Sequence, residues 1–206
     1  MSPQIVPATR QTYRQAAQVL GKAFADEPVS VVIYRSFSPS RRVQALTLDF
    51  SAELVVSLRL GYPIQVNEDG KVVAAALIYP PGAYPPPRWE QWKFLVKSVL
   101  GNGWYDVRSW VKWLNEVDKI HPTEAHFYLE YIGVEPTYQG KGYGSMIMEH
   151  LVAKADQEAV GCYLENANPR NIPFYQRFGF KVVNEKYIIG FTTWFMWREP
   201  AGSRPR

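Results

Sequence analysis

Hydrophobic positions recur along this chain with two periods, every three to four residues in some stretches and every second residue in others, and the switches between them mark its elements. Gln4 to Pro7 reads as a short strand. From about Gln11 to Ala25 the residues Ala16, Val19, Leu20 and Phe24 make a helical stripe, capped by Thr9 or Thr12 and ended by Pro28. A second stripe starts after Ser38-Pro39-Ser40 and carries Val43, Leu46, Phe50, Leu54 and Leu58 to about Leu60, where Gly61-Tyr62-Pro63 stops it. Ile64 to Asn67 and Val72 to Tyr79 then flank Glu68-Asp69-Gly70, a hairpin pattern in which Asp-Gly supplies the positive φ angles of the turn. Val72 to Tyr79 is apolar at nearly every position, as expected of a strand covered on both faces.

Five prolines between Pro80 and Pro87 rule out regular structure there. Two helices, Trp89 to Leu100 and Trp104 to Lys119, follow on either side of Gly101-Asn102-Gly103, and His121-Pro122 closes them. They hold Trp89, Trp92, Trp104, Trp110 and Trp113, most of which are expected to fill the core of this lobe. The last third predicts a strand from His126 to Val134, a glycine-rich turn, a helix from Gly144 to about Glu158 and a strand from Cys162 to Glu165. A short helix at Ile172 to Arg177 and two strands, Phe180 to Ile189 and Thr192 to Trp197, complete it. His121 reads as a loop residue and His150 as an exposed helix residue.

The chain of 206 residues suits a single domain, with 47% hydrophobic and 15% aromatic residues to build a core. Cys162 stands alone, so it forms no internal disulfide and reads as a small buried hydrophobe. No Cys/His cluster has zinc spacing, so no metal is expected. The net charge of +4 comes from scattered Lys and Arg rather than a basic stripe, which argues against nucleic acid as a partner. No run is long or apolar enough for a membrane span or a signal h-region, and a cytoplasmic location is the expectation. Residues 199–206 read as a flexible tail.

The turn before the Gly144 helix is Gln139-Gly140-Lys141-Gly142-Tyr143-Gly144-Ser145. It is not a Walker A loop, because Glu135 occupies the first glycine position and Gly142 follows the lysine. Nor is it a dinucleotide fingerprint, because Ser145 stands where GxGxxG needs glycine. What remains is a tight turn whose glycines leave room for an anion near free N–H groups at a helix N-terminus, or else a bare connection.

Gln139 to Gly144 matches the [Q/R]-x-x-G-x-[G/A] signature, and Tyr175-Gln176-Arg177-Phe178-Gly179-Phe180 resembles a second one, Y-x-x-x-G-F. Both belong to the GNAT superfamily of acyl-CoA N-acyltransferases, which the chain therefore resembles. Its pattern is most similar to the puromycin N-acetyltransferase-like branch, at Gly133-Val134, Pro169 to Tyr175 and Phe24-Ala25-Asp26. The resemblance implies an α/β (α+β) GNAT fold: a mixed, mostly antiparallel sheet of about six to seven strands flanked by helices, with residues 80–125 inserted as a helical lobe between strands three and four. It also implies acetyl-CoA as cosubstrate and an amine as acceptor.

Carried over residue by residue, the resemblance gives the main chain of Ile132 and Val134 to the pantetheine arm. The backbone from Gln139 through Gly140, Lys141, Gly142, Tyr143 and Gly144 to Ser145 would then hold the pyrophosphate. The Lys141 ammonium either adds a point charge or is merely solvated. Tyr175 corresponds to the tyrosine that protonates the departing thiolate. Asn171, in preference to Asn168, is the cofactor-contacting asparagine, and either one is alternatively a helix cap. Glu130 is the candidate base in the strand, on the same face as Ile132 by strand alternation. The puromycin-type pattern has a small residue there, so Glu165 and a water relay through His126 and Tyr128 stay open. The expected acceptor is a small-molecule primary amine attacking directly in a ternary complex, in a monomer or homodimer, with the lobe covering one side of the cleft. The alternatives are a protein or peptide acceptor and a non-catalytic acyl-CoA-binding module.

Overall fold

The computed structural model describes residues 2–102 and 107–202. Seven strands form one sheet in the order β1-β2-β3-β4-β5-β7-β6: β1 Gln4–Pro7, β2 Ile64–Glu68, β3 Lys71–Tyr79, β4 His126–Val134, β5 Gly161–Asn166, β6 Lys181–Ile188 and β7 Phe191–Arg198. Every pair is antiparallel except β4 and β5. The β2–β3 turn has φ of 48° at Asp69 and 77° at Gly70, as the Asp-Gly signal requires. From Val72 to Tyr79 the third strand is buried throughout, so its continuous apolar run reflects cover on both faces.

The covering layers are helical. On one face α1 (Tyr13–Ala23) and α3 (Pro39–Leu60) bury Ala16, Leu20, Leu46, Phe50 and Leu54 against Ala75 and Leu77. On the other, α6 (Tyr143–Gln157) packs Ile147, Met148 and Leu151 onto Phe127, Leu129 and Leu164, with Cys162 fully buried among them. Ser38 caps α3 by accepting from the Arg41 N–H at 3.3 Å.

Proline placement corrects one sequence expectation. Pro28 does not merely terminate α1; it occupies the first turn of a further short helix, α2 (Pro28–Ile33), where its missing N–H costs nothing. Between β3 and β4 lie α4 (Arg88–Asn102) and α5 (Val107–Asp118). The expected helix start at Trp104 falls outside the described residues. Trp89 and Trp92 do not fill the lobe: they are 52% and 66% exposed on α4, Trp89 lying under the Lys93 ammonium at 4.2 Å. Trp113 points inward, and its indole N–H donates to Thr193 Oγ1 at 3.2 Å. The C-terminal end of α4 is tied to α3 by Asn102, whose Nδ2 donates to Asp49 Oδ1 at 3.0 Å. No helix among the described residues is long and apolar enough to cross a membrane.

Candidate active site

The site forms where the sheet opens. Parallel pairing between β4 and β5 covers only His126 to Tyr128 against Gly161 to Tyr163. Beyond it β4 runs on to Val134 paired with β3 alone, so its β5-facing edge offers unpaired main-chain groups. Within that stretch Leu77 pairs with Tyr131 and Ile78 with Leu129, which leaves Glu130 as the extra residue of a β-bulge.

The bulge overturns the expected shared face of Glu130 and Ile132. Simple alternation would put both on one side, but the extra residue resets the pleat. Ile132 and Val134 pack with the α6 cluster, whereas Tyr131 joins Phe24 and Phe50 under α1 and α3, its ring 4.9 Å from that of Phe50. Glu130 faces Glu53 of α3 and Glu165 of β5, whose charges, after desolvation, hold its carboxyl well above the usual range. Its Oε2 is buried and has no hydrogen-bond partner among the described residues.

The glycine loop opens α6. Gly140 and Gly142 have φ of 78° and 88°, angles that side chains rarely adopt, and a Cβ built on either would meet only open space. Backbone geometry therefore demands glycine there, and the open space leaves a ligand free to approach the main chain. Gly144 is different: a Cβ would lie 3.3 Å from the Phe174 ring. The first intrahelical bond runs from the Met146 N–H to the Gly142 carbonyl at 3.0 Å, and the N–H groups of the preceding turn are those a helix leaves without intrahelical acceptors. Side chains in the loop do other work. Tyr143 turns into the core and donates to Glu68, Gln139 Nε2 donates to the Val134 carbonyl at 3.3 Å, and the Lys141 ammonium lies 4.6 Å from the Tyr138 ring centroid.

Opposite the loop, a 3₁₀ turn (Pro169–Asn171) leads into α7 (Ile172–Gln176). Asn168 caps that turn, its Oδ1 accepting from the Arg170 N–H at 3.1 Å, while Asn171 makes no cap bond, lines the opening and hydrogen-bonds Glu27. Tyr175 is 8% exposed; desolvation first, then the nearby Glu27 charge, raise its phenol well above the usual value. Glu27, just before α2, escaped the sequence reading. Asn168 Nδ2 donates to its Oε1 at 3.2 Å, and desolvation raises its carboxyl against the hydrogen bonds from Asn168 and Asn171.

One cavity of about 770 Å³ joins these parts. At one end it is lined by Val134, Gln139, Gly140, Gly142, Tyr143, Gly144, Ser145 and Asn171, with Arg170 and Arg177 nearby. Ile132, Tyr175 and Glu130 lie along it, and Glu53, Glu165, Tyr84, Trp110 and Trp113 line it as well. Of the residues expected at the cofactor, Lys141 alone is absent from this wall. From α5, Trp110, Trp113, Leu114 and Val117 contribute to the lining.

The histidines also need correction. His121 is not a simple loop residue: its side chain is 12% exposed, with Nδ1 3.7 Å from Glu165 Oε1 and its ring 4.7 Å from that of Tyr84. His126 lies behind the wall, with Nδ1 2.6 Å from the Glu124 carbonyl. His150 is half-buried, its Nε2 3.0 Å from the Tyr62 hydroxyl. Among the described residues, no group of three or more His, Cys, Asp or Glu is placed to hold a metal ion.

A mixed sheet that opens between two parallel strands, beside a glycine turn at a helix N-terminus, defines an acyltransferase of the acyl-CoA-binding type. The chain belongs to the acetyltransferase (GNAT) family, whose model matches residues 32–180. It is 27% identical over 188 residues, covering 85% of this chain and 73% of the relative, to the uncharacterized N-acetyltransferase C550.08 of Schizosaccharomyces pombe. The fold resembles a histone acetyltransferase HPA2 and related acetyltransferase from Corynebacterium glutamicum, with a TM-score of 0.72, 23% identity and full coverage of both chains. It also resembles the PaiA N-acetyltransferase of Thermoplasma acidophilum, solved in complex with coenzyme A, with a TM-score of 0.60, 12% identity and coverage of 97% and 99%.

Proposed function

We propose that this acetyltransferase moves an acetyl group from acetyl-CoA to a primary amine of a small molecule by direct attack in a ternary complex. The observation that carries this reading is the single cavity of about 770 Å³ running from the glycine loop to a covered, carboxylate-rich, aromatic region. The loop end fits the cofactor: open space above Gly140 and Gly142, helix N–H groups and the two arginines suit a pyrophosphate, and the free edge of β4 suits an extended amide-bearing arm. The covered far end favours a small acceptor over a protein tail.

Tyr175 is the proton donor to the departing thiolate, since its raised phenol stays protonated at neutral pH. Glu130 accepts the proton of the attacking ammonium. A second proton acceptor, Glu27, is favoured by its contact with Asn168 and by its charge beside Tyr175. The reaction belongs in the cytoplasm, where acetyl-CoA is available.

The test is thermal stability with acetyl-CoA, CoA or ATP, paired with thiol release over a panel of amines. Binding at a hundredfold excess over Kd adds about 2.7 kcal/mol, so the CoA species should raise Tm and ATP should not. Amine-dependent thiol release is expected alongside. No response to either CoA species would overturn the proposal.

A further inference from the structure

The acids of α1, α3 and α4 are all turned away from solvent. Asp49 and Glu53 of α3 line the cavity, Glu90 of α4 is buried and paired with Arg59, and α1 has no acid at all. The charges that these helices show to water are therefore positive. Arg14, Arg88, Lys93 and Lys97 are exposed, as is Arg10 just before α1, and none of the five has an ion-pair partner among the described residues.

Between these cations the surface is apolar. On α4, Trp89, Trp92, Val96 and Leu100 recur at intervals of three and four residues, which lines them up in one stripe about 16 Å long. Val96 and Leu100 are 49% and 81% exposed, and both tryptophans are more than half exposed. The outer edge of α3 continues the stripe. Leu48, itself exposed, meets α4 at Gly101, and the Arg59 guanidinium lies 5.8 Å from the Trp89 ring at the other end. Arg10 and Arg14 share a surface groove with Val55 and Arg59.

An apolar stripe with two tryptophans marks a surface that something covers, and the charges say what. A second copy docked by the same face would set cations against cations. A nucleic acid would answer the cations but leave Val96 and Leu100 without an apolar partner. Lysine is depleted from the cores of protein interfaces, whereas Lys93 and Lys97 lie beside the stripe. An anionic lipid surface answers both sets: indole rings settle at headgroup level, aliphatic side chains enter just below, and Lys and Arg meet the phosphates.

We infer that the outer face of α4, with the adjoining edge of α3, docks on an anionic lipid surface. The helix lies in the plane of the interface and does not cross the bilayer. This inference does not depend on the acetyl-transfer reading.

The experiment titrates the full chain with vesicles of phosphatidylcholine alone and of equal parts phosphatidylcholine and phosphatidylglycerol, following cosedimentation and tryptophan emission. The mixed vesicles should bind more tightly by on the order of tenfold or more, with a blue shift in emission, and added salt should weaken the binding. Two double variants, Trp92→Ser with Leu100→Ser and Lys93→Glu with Lys97→Glu, should each lose a similar factor. Val183→Ser, at an exposed apolar position on β6, should bind like the wild type. Circular dichroism checks that the variants fold, and the wild-type comparison of the two vesicles stands if one does not. Absence of binding to the mixed vesicles, equal binding to both compositions, or an equal loss on Val183→Ser would overturn the inference. So would a dimer in solution that ignores vesicles and is broken by Trp92→Ser with Leu100→Ser, because the face would then belong to a second copy.

Discussion

Tyr175 draws its properties from three neighbours: Phe174 beside it, with ring centroids 5.3 Å apart, Phe180 at the end of the following turn, and the Glu27 carboxylate across the opening. The aromatic contacts fix the ring, and desolvation with the negative charge keeps the phenol protonated. Tyr175→Phe should therefore lower kcat by about 10²–10⁴-fold while leaving stabilisation by CoA in place. In the same assay, the variant that removes the proton acceptor, Glu130→Gln or Glu27→Gln, should lose kcat and the rise of rate with pH, and the other should keep both. Tyr175 and the loop glycines were legible in the sequence because each belongs to a short motif whose spacing carries the constraint. Glu27 and Glu53 were not, because they meet Asn168 and Glu130 only after more than seventy intervening residues have folded.

The fourth strand does at the scale of elements what no single residue does. Its first part is held on both edges, and the part after the bulge on one. Amide hydrogen exchange should follow that division: His126 to Tyr128 protected at all times, Leu129 to Val134 gaining protection when acetyl-CoA binds along the free edge. Unchanged exchange in the second part on saturation would show that the arm does not pair there. The order of strands and helices in this region followed from its hydrophobic pattern. The bulge did not, because the sequence of a strand does not state its partner's register, and one extra residue between Leu129 and Tyr131 moved Ile132 to the opposite face from the one that alternation assigned. Pro28 shows the same limit: proline both ends one helix and begins another, and the difference lies in where the chain can pack.

For the molecule as a whole, the central feature is the number of carboxylates, Glu27, Asp49, Glu53, Glu130 and Glu165, that line one cavity. Desolvation, then the Asp49 charge, raises Glu53 from its ordinary 4.5 to about 8. As pH rises from about 4.5 to about 8, the unfolded chain ionises this group while the folded protein keeps it protonated, so folding stability falls across that window and levels off above it. Glu53→Gln removes the penalty. Its Tm should match the wild type near the lower limit and exceed it increasingly toward the upper one, with each kcal/mol worth about 2–4 °C at this chain length. Periodicity and two local motifs in the sequence by themselves determined the order of the strands and of the longer helices, though not α2, together with the family resemblance and the loop that opens α6, because each depends on residues close together in the chain. Only the tertiary structure decided the bulge, the pairing of Glu27 with Asn168, the burial of His121 and the gathering of Glu53, Glu130 and Glu165 in one cavity. Those depend on register and packing between distant segments, where small shifts in backbone position set which side chains share a face.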